Sequence, residues 1–185
     1  MGGFIAELLT LAEGTDAVDV HEVGCGEGEL ARRLASRGMR VRGTDASPDV
    51  VAEAQRRAGA EGLEIEFRAA PLEELDAARD AAELVVCCEV LEHLPNPEAG
   101  LAMVARLATP WAIVSVPREP LWRLCNLARL RYARDLGNTP GHLNHWSRRA
   151  FIEFLRRRLE VVEVRFPLPW TMALCRAHQP RISPS

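Results

Sequence analysis

The apolar and polar positions along this chain alternate between a helical period and a strand period. Phe4 to Ala12 spaces its apolar residues as a short amphipathic helix does. Val18 to Val23 reads as a first strand ending in a glycine-rich turn. Glu29 to Ser36 follows as a helix, with Leu30 and Leu34 on one face and Gly38 as its stop. Met39 to Thr44 is a second strand. Ser47-Pro48-Asp49 then opens a helix predicted to reach about Gly59, because serine caps well and proline suits a first turn. Leu63 to Arg68 alternates as a third strand, with a loop from Ala69 to Leu75. Leu84 to Cys88 is continuously apolar, the pattern of a strand buried on both faces of a parallel sheet. Pro97 to Leu107 is a helix, Trp111 to Val116 a fifth strand and Phe151 to Arg158 another helix. Leu159 to Phe166 and Thr171 to Cys175 form a closing pair of strands.

Strands separated by helices predict an α/β fold: a doubly wound, mostly parallel, Rossmann-like sheet with an antiparallel closing strand. One domain is expected over residues 1–178, with 179–185 as a disordered tail. Pro117 to Arg149 breaks the rhythm, with about thirty residues where a connection usually has two to six. It leaves the carboxyl end of a strand, where open α/β sheets bind their ligands, and is expected to be a lid-like insertion.

Composition changes this picture little. The 185 residues are 48% hydrophobic and 26% charged, as in an ordinary globular enzyme. A net charge of -3 gives no global attraction to nucleic acid or anionic lipid. The five cysteines are odd in number and form no C-x-x-C pair, so neither a zinc knuckle nor a disulfide framework is indicated. A reducing, cytoplasmic setting is expected. Met1 to Glu13 carries Glu7 and no basic region, unlike a signal peptide. No membrane span is expected, since no run approaches the roughly 18 apolar residues one needs.

The strongest chemical signal is Val20-His21-Glu22-Val23-Gly24-Cys25-Gly26-Glu27-Gly28-Glu29-Leu30, a strand ending in an acid and then three alternating glycines before a helix. Glycine allows a tight turn and lets a ligand lie against bare backbone. The helix N-terminus offers free N–H groups to a carboxylate or phosphate. Dinucleotide-binding turns use G-x-G-x-x-G, but Glu29 stands at that third position. Asp45, closing the second strand, can accept hydrogen bonds from both hydroxyls of a ribose, a geometry that serves NAD equally. After the fourth strand comes Glu89-Val90-Leu91-Glu92-His93-Leu94-Pro95-Asn96-Pro97-Glu98.

Gly24 to Gly28 together with Leu84 to Glu98 resemble the class I S-adenosylmethionine (SAM)-dependent methyltransferases, in their type 11 and ubiquinone-biosynthesis-like branch. The matching motifs cover roughly residues 18 to 116. The resemblance implies SAM as cofactor, held by Glu22, Gly24, Cys25, Gly26, Gly28, Asp45, Ala46, Leu72 and Glu89. Many relatives carry an aspartate after the third strand for the adenine amino group. Here the loop reads Ala69-Ala70-Pro71-Leu72-Glu73-Glu74, which leaves that role to backbone near Leu72 or to Glu73. Neither the N/D-P-P-Y/F signature of base-amine methylation nor the proline-cysteine nucleophile of cytosine C5 enzymes is present.

A sulfonium methyl is already activated, so its transfer needs mainly positioning and desolvation. A general base is required only where the attacking atom must lose a proton. His93 is the first candidate, following the fourth strand, because imidazole changes charge near neutrality. The insertion adds His142, His145 and Trp146, and His145 is the second candidate. It also concentrates arginine among apolar residues such as Leu121 and Trp122, which suits an anionic or lipid-linked acceptor. The expected reaction is methylation of an oxygen, less readily a nitrogen or carbon, of a small or medium-sized metabolite. Nucleic acid is not the expected partner, no metal is expected, and the oligomeric state is open. Two alternatives stand beside this. Glu89, Glu92 and His93 with His142 or His145 resemble the metal site of small-RNA 2′-O-methyltransferases, and a non-catalytic SAM-binding protein would carry the same glycine turn.

Overall fold

The computed structural model describes residues 2–118 and 143–178. Residues 119–142 of the expected lid-like insertion, His142 among them, and the expected tail at 179–185 lie outside the described residues. Seven strands form one sheet in the order β3-β2-β1-β4-β5-β7-β6. They are β1 (Asp19–Val23), β2 (Arg40–Asp45), β3 (Glu66–Ala69), β4 (Ala82–Cys88), β5 (Ala108–Pro117), β6 (Leu159–Arg165) and β7 (Trp170–Ala177). All neighbours pair in parallel except β7, which runs antiparallel to both β5 and β6. This is the sheet expected from the sequence. The chain moves outward from β1 to β3 and then returns to the other side of β1 at β4. That reversal opens a crevice at the carboxyl ends of β1 and β4.

Helices cover both faces because both faces of the sheet are apolar. On one side α1 (Gly2–Glu13), α2 (Glu29–Ala35) and α3 (Pro48–Ala60) bury Leu8, Leu34 and Ala58 with Val20, Val41, Leu84 and Ile113 of the strands. On the other, α5 (Pro97–Leu107) and α6 (Arg148–Leu155) bury Leu101, Val104, Phe151 and Leu155 with Val85, Cys87, Val114 and Cys175. The caps follow the sequence. Ser47 accepts a hydrogen bond from the Val50 N–H at α3, and Asn96 accepts one from Ala99 at α5. Between β3 and β4 the crossover is short, a 3-10 turn (Leu72–Glu74) and the four-residue α4 (Ala77–Asp80). The sheet face beside it is therefore polar, carrying Arg42 and Thr44 of β2 and Arg68 of β3 around His21 of β1.

Candidate active site

The turn after β1 is held from β2. The Thr44 carbonyl accepts both the Gly24 N–H (2.7 Å) and the Cys25 N–H (3.0 Å). Asp45 then accepts the Gly26 N–H at one carboxylate oxygen (3.0 Å) and the Ser47 N–H at the other (2.9 Å). Asp45 thus joins the turn after β1 to the turn after β2, and its remaining lone pairs face outward from that junction.

All three glycines have positive φ but meet different surroundings. Gly24 has φ +72, and a Cβ there would lie 2.3 Å from Val90 Cγ2, so a side chain would push the loop after β4 away. Gly26 has φ +53, and a Cβ there would meet nothing within 4 Å among the described residues, which leaves its backbone accessible to a ligand. Gly28, packed against Phe67 and Ala54, caps α2 without a side-chain hydrogen bond.

Glu22 fills that gap from β1. It is 6% exposed and lies against the Ala31 N–H in the first turn of α2, while its Oε2 has no partner among the described residues. Burial, aided by the Asp45 charge, pushes its carboxyl up to about 8, against the opposing pull of the Ala31 N–H and Arg32. A buried, partner-poor carboxyl beside an open backbone suits a cationic group such as an ammonium. Cys25 is buried and its thiol lies 3.6 Å from the Gly26 carbonyl. Burial and the nearby Glu22 and Asp45 charges push that thiol up, so it is packing rather than a nucleophile. Ala46 is exposed on the turn after β2. Leu72 is buried, with its side chain in the core beside Gly100, whereas Glu73 is exposed.

Across the crevice, β4 ends at Glu89, a non-glycine residue with φ +57. Its N–H donates to the Ser115 carbonyl (3.1 Å). Burial raises its carboxyl, against the Trp170 indole beside it and against His93. Leu91–His93 then forms a 3-10 turn in which Leu91 and Glu92 point inward and His93 is exposed. After the insertion the chain returns onto this turn. The Leu143 N–H (2.8 Å) and Asn144 N–H (3.0 Å) both donate to the Glu92 carbonyl, and Asn144 Nδ2 donates to Leu94 (2.7 Å). His145 is exposed on this returning segment, and Trp146 anchors it against Phe154 at 5.2 Å between ring centroids. His93 and His145 therefore sit on two segments tied together.

Glu92, a ligand in the alternative metal-site reading, is 1% exposed, and neither carboxylate oxygen has a hydrogen-bond partner among the described residues. Burial, aided by Glu89, pushes it up to about 8. Among the described residues, no three His, Cys, Asp or Glu side chains come together as a metal site. Sequence reasoning also passed over Trp170, whose only signal was an aromatic residue after Pro167-Leu168-Pro169.

Comparison with known proteins fits this geometry. Residues 20–111, about half of the chain, match the family model described as "Methyltransferase domain". A ubiquinone biosynthesis O-methyltransferase of Alkalilimnicola ehrlichii is 32% identical over 161 residues, covering 80% of this chain and 64% of that protein. These residues form a class I SAM-dependent methyltransferase domain. The solved magnesium protoporphyrin IX methyltransferase of Synechocystis with bound SAH shares the methyltransferase domain's fold, at a TM-score of 0.73 and 23% identity over 95% of this chain and 82% of that one. So does the [4+2]-cyclase SpnF, at 0.70 and 16% over 92% and 80%, so the fold by itself does not dictate the reaction. The chain spans 64% of the Alkalilimnicola protein and 40–47% of several other curated relatives.

Proposed function

We propose that this chain transfers the methyl of SAM to an oxygen of a small or medium-sized metabolite. The observation that carries the reading is the open backbone at Gly26, flanked by the Asp45 carboxylate and the partner-poor Glu22 carboxyl. Those residues fit the group. Glu22 would face the ammonium of the methionine portion, Gly24 to Gly28 its backbone-lying part, and Asp45 the ribose hydroxyls. When bound, SAM supplies an already activated methyl, so the protein's task is alignment and exclusion of water. Glu89 and the Leu91–His93 turn form the opposite wall, where an acceptor would lie. His93, exposed at that wall, takes the hydroxyl proton as the acceptor oxygen attacks. His145, on the segment clamped to the same turn, is the second group for that role.

The O-methyltransferase names among the curated relatives support oxygen as the attacked atom. Among the described residues no helix is long and apolar enough to cross a membrane. The described cysteines are free thiols, which supports a reducing, cytoplasmic setting. The test is incubation with isotopically labelled SAM and fractionated extract of the source cell, followed by mass spectrometry. A labelled small-molecule ether or ester supports the reading. Label recovered only in RNA, or no transfer by a protein that binds SAM, overturns it.

A further inference from the structure

His21 lies in the middle of β1 and is fully buried, one residue before Glu22. Its Nδ1 is 2.8 Å from the Asp80 backbone carbonyl. A carbonyl only accepts, so Nδ1 carries the proton. Its Nε2, 3.0 Å from Thr44 Oγ1, is then left to accept the threonine hydroxyl. One neutral tautomer thus satisfies both ring nitrogens and fixes the Thr44 rotor.

Thr44 is the residue that holds the glycine turn. Its carbonyl takes the Gly24 and Cys25 N–H groups, and the next residue, Asp45, takes that of Gly26. His21 therefore stands one side chain behind the glycine turn, on the opposite face of the sheet from Glu22. The groups facing it are Arg42 from β2, Arg68 from β3 and Asp80 from α4, while β4 brings the uncharged Val85 alongside. Asp80 is already engaged by Arg68 at 2.7 Å, and Arg42 by Asp19 at 3.3 Å. A proton on His21 would add a third positive charge beside two arginines and reverse the Thr44 hydrogen bond, with Nε2–H then donating to Oγ1 and the threonine hydroxyl left to turn away. Burial foremost, with Arg42 and Arg68, lowers the His21 titration point below its ordinary value despite Asp80.

We propose that His21 is a positioning residue for the cofactor turn: neutral, it accepts the Thr44 hydroxyl and holds Thr44 and with it Gly24–Gly26 and Asp45, and acid disturbs that arrangement by reversing the hydrogen bond and adding a charge beside Arg42 and Arg68. The proposal rests on the SAM-site reading above. It makes cofactor affinity fall in acid through a residue that never touches the cofactor. Glu22, pushed up to about 8, also titrates in this site, so its effect begins at higher pH and is common to every variant that keeps it.

The test measures SAH binding calorimetrically from pH 8 to pH 5 for the intact chain, His21→Gln and Thr44→Val, with circular dichroism confirming the fold at each pH. In acid the unmodified chain should lose up to about tenfold in affinity per pH unit beyond the loss shown by either variant, the slope of one proton taken up. Thr44→Val should already bind SAH more weakly at pH 8. If a variant fails to fold, the His21 ring followed by NMR in the unmodified chain decides instead. Its titration point should move to lower pH in the SAH complex, because linkage is reciprocal. Parallel affinity curves for the unmodified chain and His21→Gln, or an unmoved His21 titration, overturn the proposal alone. A folded protein that binds no SAH at any pH overturns the cofactor reading and this proposal with it.

Discussion

Glu92→Gln should gain stability relative to the unmodified chain as the pH rises. Glu92 is 1% exposed and neither of its carboxylate oxygens has a partner among the described residues. Burial, reinforced by Glu89, raises its carboxyl from an ordinary 4.5 to about 8. The folded protein therefore keeps the proton across a range in which the unfolded chain gives it up. A group raised on folding contributes fully below its unfolded value and loses that contribution as pH rises through its folded value. At pH 7 the difference spans about two and a half units at roughly 1.4 kcal/mol each, or about 3 kcal/mol withheld from stability. Glutamine has the same shape and nothing to ionise. Its amide N–H groups would be poorly partnered, a cost of roughly 1–3 kcal/mol that does not change with pH. The slope is therefore the decisive quantity. Urea unfolding at pH 5, 6, 7 and 8 should show the variant gaining on the unmodified chain by about 1 kcal/mol per pH unit, levelling above pH 8. A difference independent of pH would mean that Glu92 is ionised in the fold, paired with a cation, and the reasoning would fail.

Asp45→Ala should cost roughly 1–3 kcal/mol of SAM affinity, the range for hydrogen bonds to a charged group, read by calorimetry. An unchanged affinity would remove Asp45 from the ribose site. His93→Asn should cut turnover by about 10²–10⁴-fold with SAM affinity retained, and the activity of the unmodified protein should survive exhaustive chelation. Turnover lost to chelation and restored by added divalent metal would assign the chemistry to an ion instead.

Much of the fold was legible because its elements agree with local rules. The apolar run from Leu84 to Cys88 lies in the fully flanked β4, and Ser47-Pro48 caps α3 as its chemistry requires. Errors came where tertiary context overrides local pattern. The helix read as Phe151 to Arg158 spans Arg148–Leu155, because Ser147 accepts the Ala150 N–H and starts it earlier. The four-residue α4, capped by Asp76, was too short to leave a period. At the site, glycine spacing revealed the turn, but not that Gly26 alone faces open space while Gly24 is pressed by Val90. Charged residues such as Glu92 gave no sign of burial, since nothing local distinguishes an inward carboxylate from a solvated one. His21 was equally silent, because the partners that make it tolerable in a central strand lie at Thr44 and Asp80, far along the chain.

The central claim is that the turn from Gly24 to Gly28, with Glu22 and Asp45, is built for SAM. Calorimetric titration of the purified chain with SAM, SAH and NAD at pH 8 tests it most directly. The account predicts one site for SAM and for SAH on each chain and no measurable heat with NAD. Tight binding of NAD without binding of SAM or SAH would contradict it.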